Sequence, residues 1–175
     1  MDRGHREYLL VDGYNIINAW LELVEEANEV DLASARDKLI DIMADYSAFT
    51  GICVILVFDA HQANKNTRTS YIINGVEVIY TKSGETADHY IEKIADALGK
   101  QEKIRVATSD WIEQQIVMGR GAARISAREL HEEVKSLRAK RQRIIKNEPE
   151  KGQTLADIID PDLKEQLGKQ IKGEN

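Results

Sequence analysis

The sequence predicts an α/β fold: a three-layer α/β/α sandwich around a mainly parallel sheet of about five strands. Short apolar runs alternate with helical stretches along the 175 residues, the pattern of strands joined by crossover helices. The run Cys53 to Phe58 is too continuously apolar to have a wet face, as expected of a central parallel strand. Asp12, Asp59 and Asp110 each fall just beyond an apolar run. Three carboxylates are thereby placed at strand C-termini, the edge outside which open parallel sheets bind ligands.

Tyr8 to Val11 is the first strand, ending at Asp12-Gly13, and Ile16 to Glu26 is expected to form a short helix. Leu32, Ala35, Leu39, Ile42, Met43, Tyr46 and Phe49 recur at helical spacing, with Asp31 as N-cap and Gly51 as the stop. After the second strand, residues 60–75 are polar and turn-rich and read as a long loop leading into a third strand, Val76 to Tyr80. Thr86 caps a helix to about Leu98 whose buried stripe is Ile91, Ile94, Ala95 and Leu98, and Asp88 falls in its first turn. Ile104 to Ala107 is the fourth strand, Trp111 to Met118 a helix, and Ala122 to Ile125 a short fifth strand. Ser126 and Glu129 have capping-box spacing at the head of a long basic helix, 127–146, with Leu130, Val134, Leu137 and Ile144 on its apolar stripe. One domain, 8–146, is expected, followed by a loosely docked or partly disordered tail, 147–175.

Composition narrows the class. The hydrophobic fraction of 42% and charged fraction of 31% are those of a globular domain. Cys53 is the single cysteine, so no internal disulfide can form, and a buried thiol in a cytoplasmic setting is expected. No apolar run reaches signal-peptide or membrane-span length, so no membrane partner is expected. The net charge of −6 argues against a general polyanion binder, yet Arg120 to Lys151 holds ten Lys and Arg against five Glu. A local charge of this sign is the usual footprint for nucleic acid, with a solvated helix face as the plainer alternative.

The acids suit a hard cation. Mg²⁺ takes one or two carboxylates, keeps several waters and completes its shell with substrate phosphate, so Asp12, Asp59 and Asp110, joined by Asp88, can hold one or two ions beside a scissile phosphate. Coordination lowers the pKa of a bound water towards neutrality and makes it the nucleophile. Singly, each acid has a structural alternative as a cap or turn residue. Gathered, they repel one another unless a cation joins them. Asn15, Thr108 and Ser109 are the neutral neighbours that would position water or phosphate, and Glu85 lies near the same helix start. His61 has no second His or Cys at zinc-ligand spacing.

The stretches Leu9-Leu10-Val11-Asp12-Gly13-Tyr14-Asn15, Val57-Phe58-Asp59-Ala60-His61, Glu85-Thr86-Ala87-Asp88 and Ala107-Thr108-Ser109-Asp110, in this order, resemble the NYN branch of the PIN-like nucleases. The chain is most similar to the bacterial YacP-like family, over about Tyr8 to Lys146. The resemblance implies a PIN-like fold and a ribosome-associated mRNA endonuclease dependent on Mg²⁺ or Mn²⁺, with Asp12, Asp59, Asp88 and Asp110 as metal-binding catalytic acids. Its implied partners are mRNA and ribosomal RNA, not DNA. The basic arm would then meet RNA through Arg124, Arg128, Arg138, Arg141 and Arg143, and Lys65 and Arg68 on the long loop would contact the message near the cut. Two other classes stay open: a receiver-like phospho-acceptor domain, although no lysine follows Ala122 to Ile125 as such a site needs, and a catalytically inactive protein that only binds RNA or the ribosome.

Overall fold

The computed structural model describes residues 6–60, 66–99, 101–108 and 122–147. In chain order these form β1 (Glu7–Asp12), α1 (Gly13–Ala19), α2 (Leu21–Glu29), α3 (Leu32–Thr50), β2 (Cys53–Phe58), β3 (Thr69–Ile73), β4 (Val76–Tyr80), α4 (Ala87–Leu98), β5 (Lys103–Ala107), β6 (Ala123–Ile125) and α5 (Ala127–Asn147). The sheet order is β3-β4-β2-β1-β5-β6. All neighbours are parallel except β3, which runs antiparallel to β4 at one edge.

β1 lies between β2 and β5, and its Leu9, Leu10 and Val11 are wholly buried, as a strand covered on both faces requires. One face packs Leu9, Val11, Leu56, Phe58 and Val78 against Ile16, Leu23, Leu39, Met43 and Leu130 from α1, α2, α3 and α5. The other packs Leu10, Val57, Ile79 and Val106 against Ile91 and Ala95 of α4. These are the three predicted layers. The predicted caps form: Asp31 Oδ1 accepts from Ser34 N at 2.6 Å, Gly51 ends α3 at φ 75°, Thr86 Oγ1 accepts from His89 N at 3.3 Å, and Ser126 and Glu129 close a reciprocal capping box.

Five expectations are corrected. The sheet has six strands, not five, because Thr69–Ile73, read as part of a long loop, forms a hairpin with β4 through Asn74 and Gly75, both at positive φ. The strand is exposed on nearly every residue and so carries no apolar alternation. The first helix is two helices, broken at Trp20, whose extended backbone (φ −96°, ψ 119°) lets its indole Nε1 donate to the Ala127 carbonyl at 2.8 Å. On the α3 stripe, Leu32 and Phe49 lie at the ends and are exposed. Ile144, expected on the buried stripe of α5, is 55% exposed, and Cys53 is half-buried. The predicted helix Trp111 to Met118 and the tail from 148 lie outside the described residues.

The chain divides into two compact units, the first ending at Leu137 and the second beginning at Arg138. In the second, residues 138–146 are helical and exposed at every position. Among the described residues, no helix is long and apolar enough to cross a membrane.

The buried Trp20 hydrogen bond ties the first helix break to the head of α5, across 107 residues. Replacing Trp20 with Phe removes the bond and part of the ring volume, and is expected to lower unfolding free energy by about 1–3 kcal/mol. Urea unfolding checks this; an unchanged midpoint would deny the bond its structural role.

Candidate active site

The C-terminal edge of the sheet gathers three of the four predicted acids. Asp12 ends β1 and is 8% exposed, one of few buried charged side chains among the described residues. Its Oδ1 accepts from the Asn15 N–H at 3.1 Å, so it is also the N-cap of α1. Gly13, which follows, is buried beneath the Phe58 ring, and a methyl group there would fall inside that ring. Glycine is required by this close approach rather than by its dihedral angles.

Asp59, one residue past β2, reaches across to a distant helix. Its Oδ1 accepts from the N–H of Ala87, the first residue of α4, at 2.6 Å. This charge-assisted bond pins the positive end of a helix to the end of a strand. Thr81 reinforces the junction: its N–H donates to the Phe58 carbonyl at 3.0 Å, and its buried Oγ1 accepts from Ala60 N at 3.0 Å. The next residue of α4, Asp88, is consequently brought close enough to Asp12 for the two carboxyls to act on one another.

This arrangement is costly for a negative charge. The Asp12 carboxyl is pushed up to about 7, first by burial, then by the contact with Asp88 and the charges of Asp88 and Asp59, while the Asn15 N–H opposes the shift. Among the described residues, no group of three His, Cys, Asp or Glu closes around one point as a complete metal cage. The Asp12 and Asp88 pair nevertheless fits a hard cation: it offers oxygen donors only, one partner is buried, and a cation can take the place of the shared proton. Two carboxylates are as many as Mg²⁺ ordinarily takes from a protein.

Other predicted residues fall into distinct places. Asn15 is half-buried beside Asp12 and contributes its backbone N–H. Thr108 is wholly buried at the end of β5, where its N–H donates to the Ile125 carbonyl at 3.3 Å. Ser109, Asp110, His61 and Lys65 lie outside the described residues. Arg68 is held in a two-pronged ion pair with Glu85, at 2.6 and 2.7 Å, and lies 4.3 Å from the Tyr90 ring centre. Lys93 joins Glu85 at 3.1 Å. The Arg68 hydrogen bonds, with help from Lys93, hold Glu85 at about 2, so this acid is a clamp between β3 and α4. Arg124 and Arg128 are exposed in the first unit and Arg138, Arg141 and Arg143 in the second.

Sequence reasoning missed the Asp59 to Ala87 bond and the Thr81 lock. Both are contacts between distant segments, and no local spacing signals them. The Phe58 against Gly13 contact had a faint signal, a bulky aromatic at the end of one strand and a glycine at the end of its neighbour.

Comparison with known proteins agrees with this fold. The YacP-like NYN domain matches residues 9–172, running past Lys146 into the tail. The chain is 47% identical over 142 residues to the protein YacP of Bacillus subtilis strain 168, covering 80% of this chain and 82% of that one. It is similar to the crystal structure of Rae1 (YacP) from Bacillus subtilis, with a TM-score of 0.67, 42% identity and coverage of 94% and 89%. A mutant form of that protein gives 0.69, 41%, 93% and 99%.

The Asp12 shift sets a pH dependence. The folded state holds this proton up to about pH 7, whereas an ordinary carboxyl releases it near 3.8. Stabilisation from the protonated form is therefore complete at low pH and is lost as pH rises towards 7. Asp12→Asn, which keeps an N-cap oxygen without the charge, is expected to exceed the wild type in stability at pH 8 in chelator by roughly 2 kcal/mol. The difference should close near pH 4; parallel melting curves across the range would show that Asp12 carries no such penalty.

Proposed function

The chain belongs to the YacP-like NYN domain family, a family of nuclease-type hydrolase domains, and on that premise we propose that it is a metal-dependent endoribonuclease that cleaves mRNA in the cytoplasm in association with the ribosome. The observation that carries the reading is the buried Asp12 held against Asp88 at the sheet edge. Two acids in contact are a poor structural device, since each destabilises the charge of the other. They make sense as ligands.

In this proposal Asp12 and Asp88 hold Mg²⁺ or Mn²⁺, with Asp59 orienting the helix that carries Asp88 and Asp110 completing the acidic set. When bound, the ion neutralises phosphate charge and supplies an acidified water for in-line attack on the phosphodiester. The residues of the chain do the positioning. Asn15 N–H fixes the Asp12 carboxylate, and the Asp59 to Ala87 bond fixes α4. Asn15, half-buried beside Asp12, is the neutral neighbour open to the phosphate among the described residues, since Thr108 is wholly buried.

Ribosome association is supported by charge. Residues 138–146 carry Arg138, Lys140, Arg141, Arg143 and Lys146 with no acid among them, all exposed. Such a segment contacts phosphates without reading bases, so its affinity is salt-sensitive.

Asp88→Asn should abolish RNA cleavage in Mg²⁺ or Mn²⁺ while leaving the thermal melt close to that of the wild type; the loss expected from a metal-binding acid is at least about a hundredfold. Gel assays on a labelled message check this, and cleavage at the wild-type rate would sink the nuclease reading. Reversing Arg138, Arg141 and Arg143 to Glu should reduce sedimentation with ribosomes, more steeply as salt rises. Undiminished co-sedimentation would return this segment to a solvated helix face.

A further inference from the structure

A row of aromatic rings crosses the sheet from the acid site to its free edge. Tyr14, two residues after Asp12, meets Phe58 edge-on at 5.1 Å. Phe58 stacks on Tyr80 at 5.6 Å and 23°, and Tyr80 meets Tyr71 of the edge strand at 6.4 Å. Phe58 is fully buried and forms the floor, whereas Tyr14 and Tyr80 are half-buried and Tyr71 is 51% exposed. From β2 to β3 the row spans about 10 Å, two strand spacings.

Beside this row stands a cation. Arg36 of α3 donates from Nη1 to the Tyr14 hydroxyl at 3.0 Å, and the Tyr80 hydroxyl approaches the same guanidinium. Phenol oxygens satisfy its hydrogen bonds but not its charge. Among the described residues, no carboxylate lies within ion-pair distance of it: Asp31 is committed to capping α3, and Asp37, near Tyr80, does not reach it. A half-buried guanidinium with no ion pair among the described residues, beside a row of rings that ends on the exposed Tyr71, matches what single-stranded nucleic acid offers, a phosphate followed by an unstacked base.

We propose that Arg36, Tyr14, Tyr80 and Tyr71 form a subsite for single-stranded RNA adjoining the scissile phosphate, with Arg36 taking a backbone phosphate and the Tyr71 ring stacking a base. The proposal rests on the nuclease reading for the scissile phosphate, though its own contacts need only RNA. The strand runs from Asp12 towards β3. Because every base has a stacking face, the subsite selects single strands over duplex without selecting sequence.

The test uses the full chain carrying Asp88→Asn and a fluorescein-labelled single-stranded oligoribonucleotide in Mg²⁺, read by anisotropy. Adding Tyr71→Ala should weaken binding about tenfold, the loss of one stacked base, while Tyr71→Phe restores it. Adding Arg36→Gln should lower the slope of log affinity against log salt by roughly 0.7, one phosphate contact on a single strand. In the cleaving protein, Tyr71→Ala should act on KM more than on kcat. Tyr71 is exposed on an edge strand, so its variants keep the fold, as thermal melting checks. If both variants bind as the parent does while the wild type cuts RNA, the subsite falls and the nuclease reading stands. If Tyr71→Ala weakens binding but the wild type does not cut, the nuclease reading falls and the subsite stands. If the parent binds no RNA, the subsite is overturned.

Discussion

The bond from the Ala87 N–H to the Asp59 carboxylate decides where the site is. It joins the end of a central strand to the start of a helix 28 residues later. A hydrogen bond to a charged acceptor contributes about 1.5–3 kcal/mol, and the positive helix end adds to it. Asp88 is the next residue, so fixing Ala87 fixes Asp88 against Asp12 to within a single peptide unit. Gly13 performs the corresponding task on the other side: without a Cβ, the chain after β1 passes under Phe58, and Asp12 is left facing the same point. The site is thus the meeting of two strand ends and one helix start, each held by a contact that none of the others supplies.

The same contacts oppose the stability of the fold. Burial pushes Asp12 up before any neighbouring charge is counted, and Asp88 and Asp59 add to the effect. An apolar residue at position 12 would relieve this. Glu85 shows how the molecule treats an acid it uses only structurally: two cations surround it, and its carboxyl is held far below the ordinary range. The contrast between Glu85 and Asp12, both close to the N-terminus of α4, separates an acid satisfied by cations from one raised by burial and like charge more clearly than either position in the sequence does.

Much of the architecture was legible because it rests on local rules. Asp31, Gly51, Thr86 and the Ser126 and Glu129 pair each announce a helix end by side-chain chemistry, and each is found in that role. The strand ends at Asp12 and Asp59 followed from the length of the apolar runs. What was not legible lacks a local signature. Thr69–Ile73 is exposed on both sides, so pairing with β4 alone makes it a strand, although Asn74-Gly75 marks the turn. The break at Trp20 depends on a carbonyl more than a hundred residues away. For the site, residue types at strand ends located Asp12 and Asp59, but the contact of Asp12 with Asp88 required the three-dimensional path of α4.

The distribution of charge follows from the same division of labour. A pocket built from carboxylates repels RNA until cations arrive, and a net charge of −6 extends that repulsion over the molecule. Attraction must then come from separate positive groups. Arg36 meets this condition at short range because its hydrogen bonds go to phenols rather than acids. At long range, the exposed segment 138–146 supplies a run of bases with no acid interleaved in its sequence. On the proposed reading, phosphates drawn by these cations would meet the acidic pocket through a divalent ion between the two negative partners, so the proposed metal and the basic surfaces would answer one electrostatic constraint.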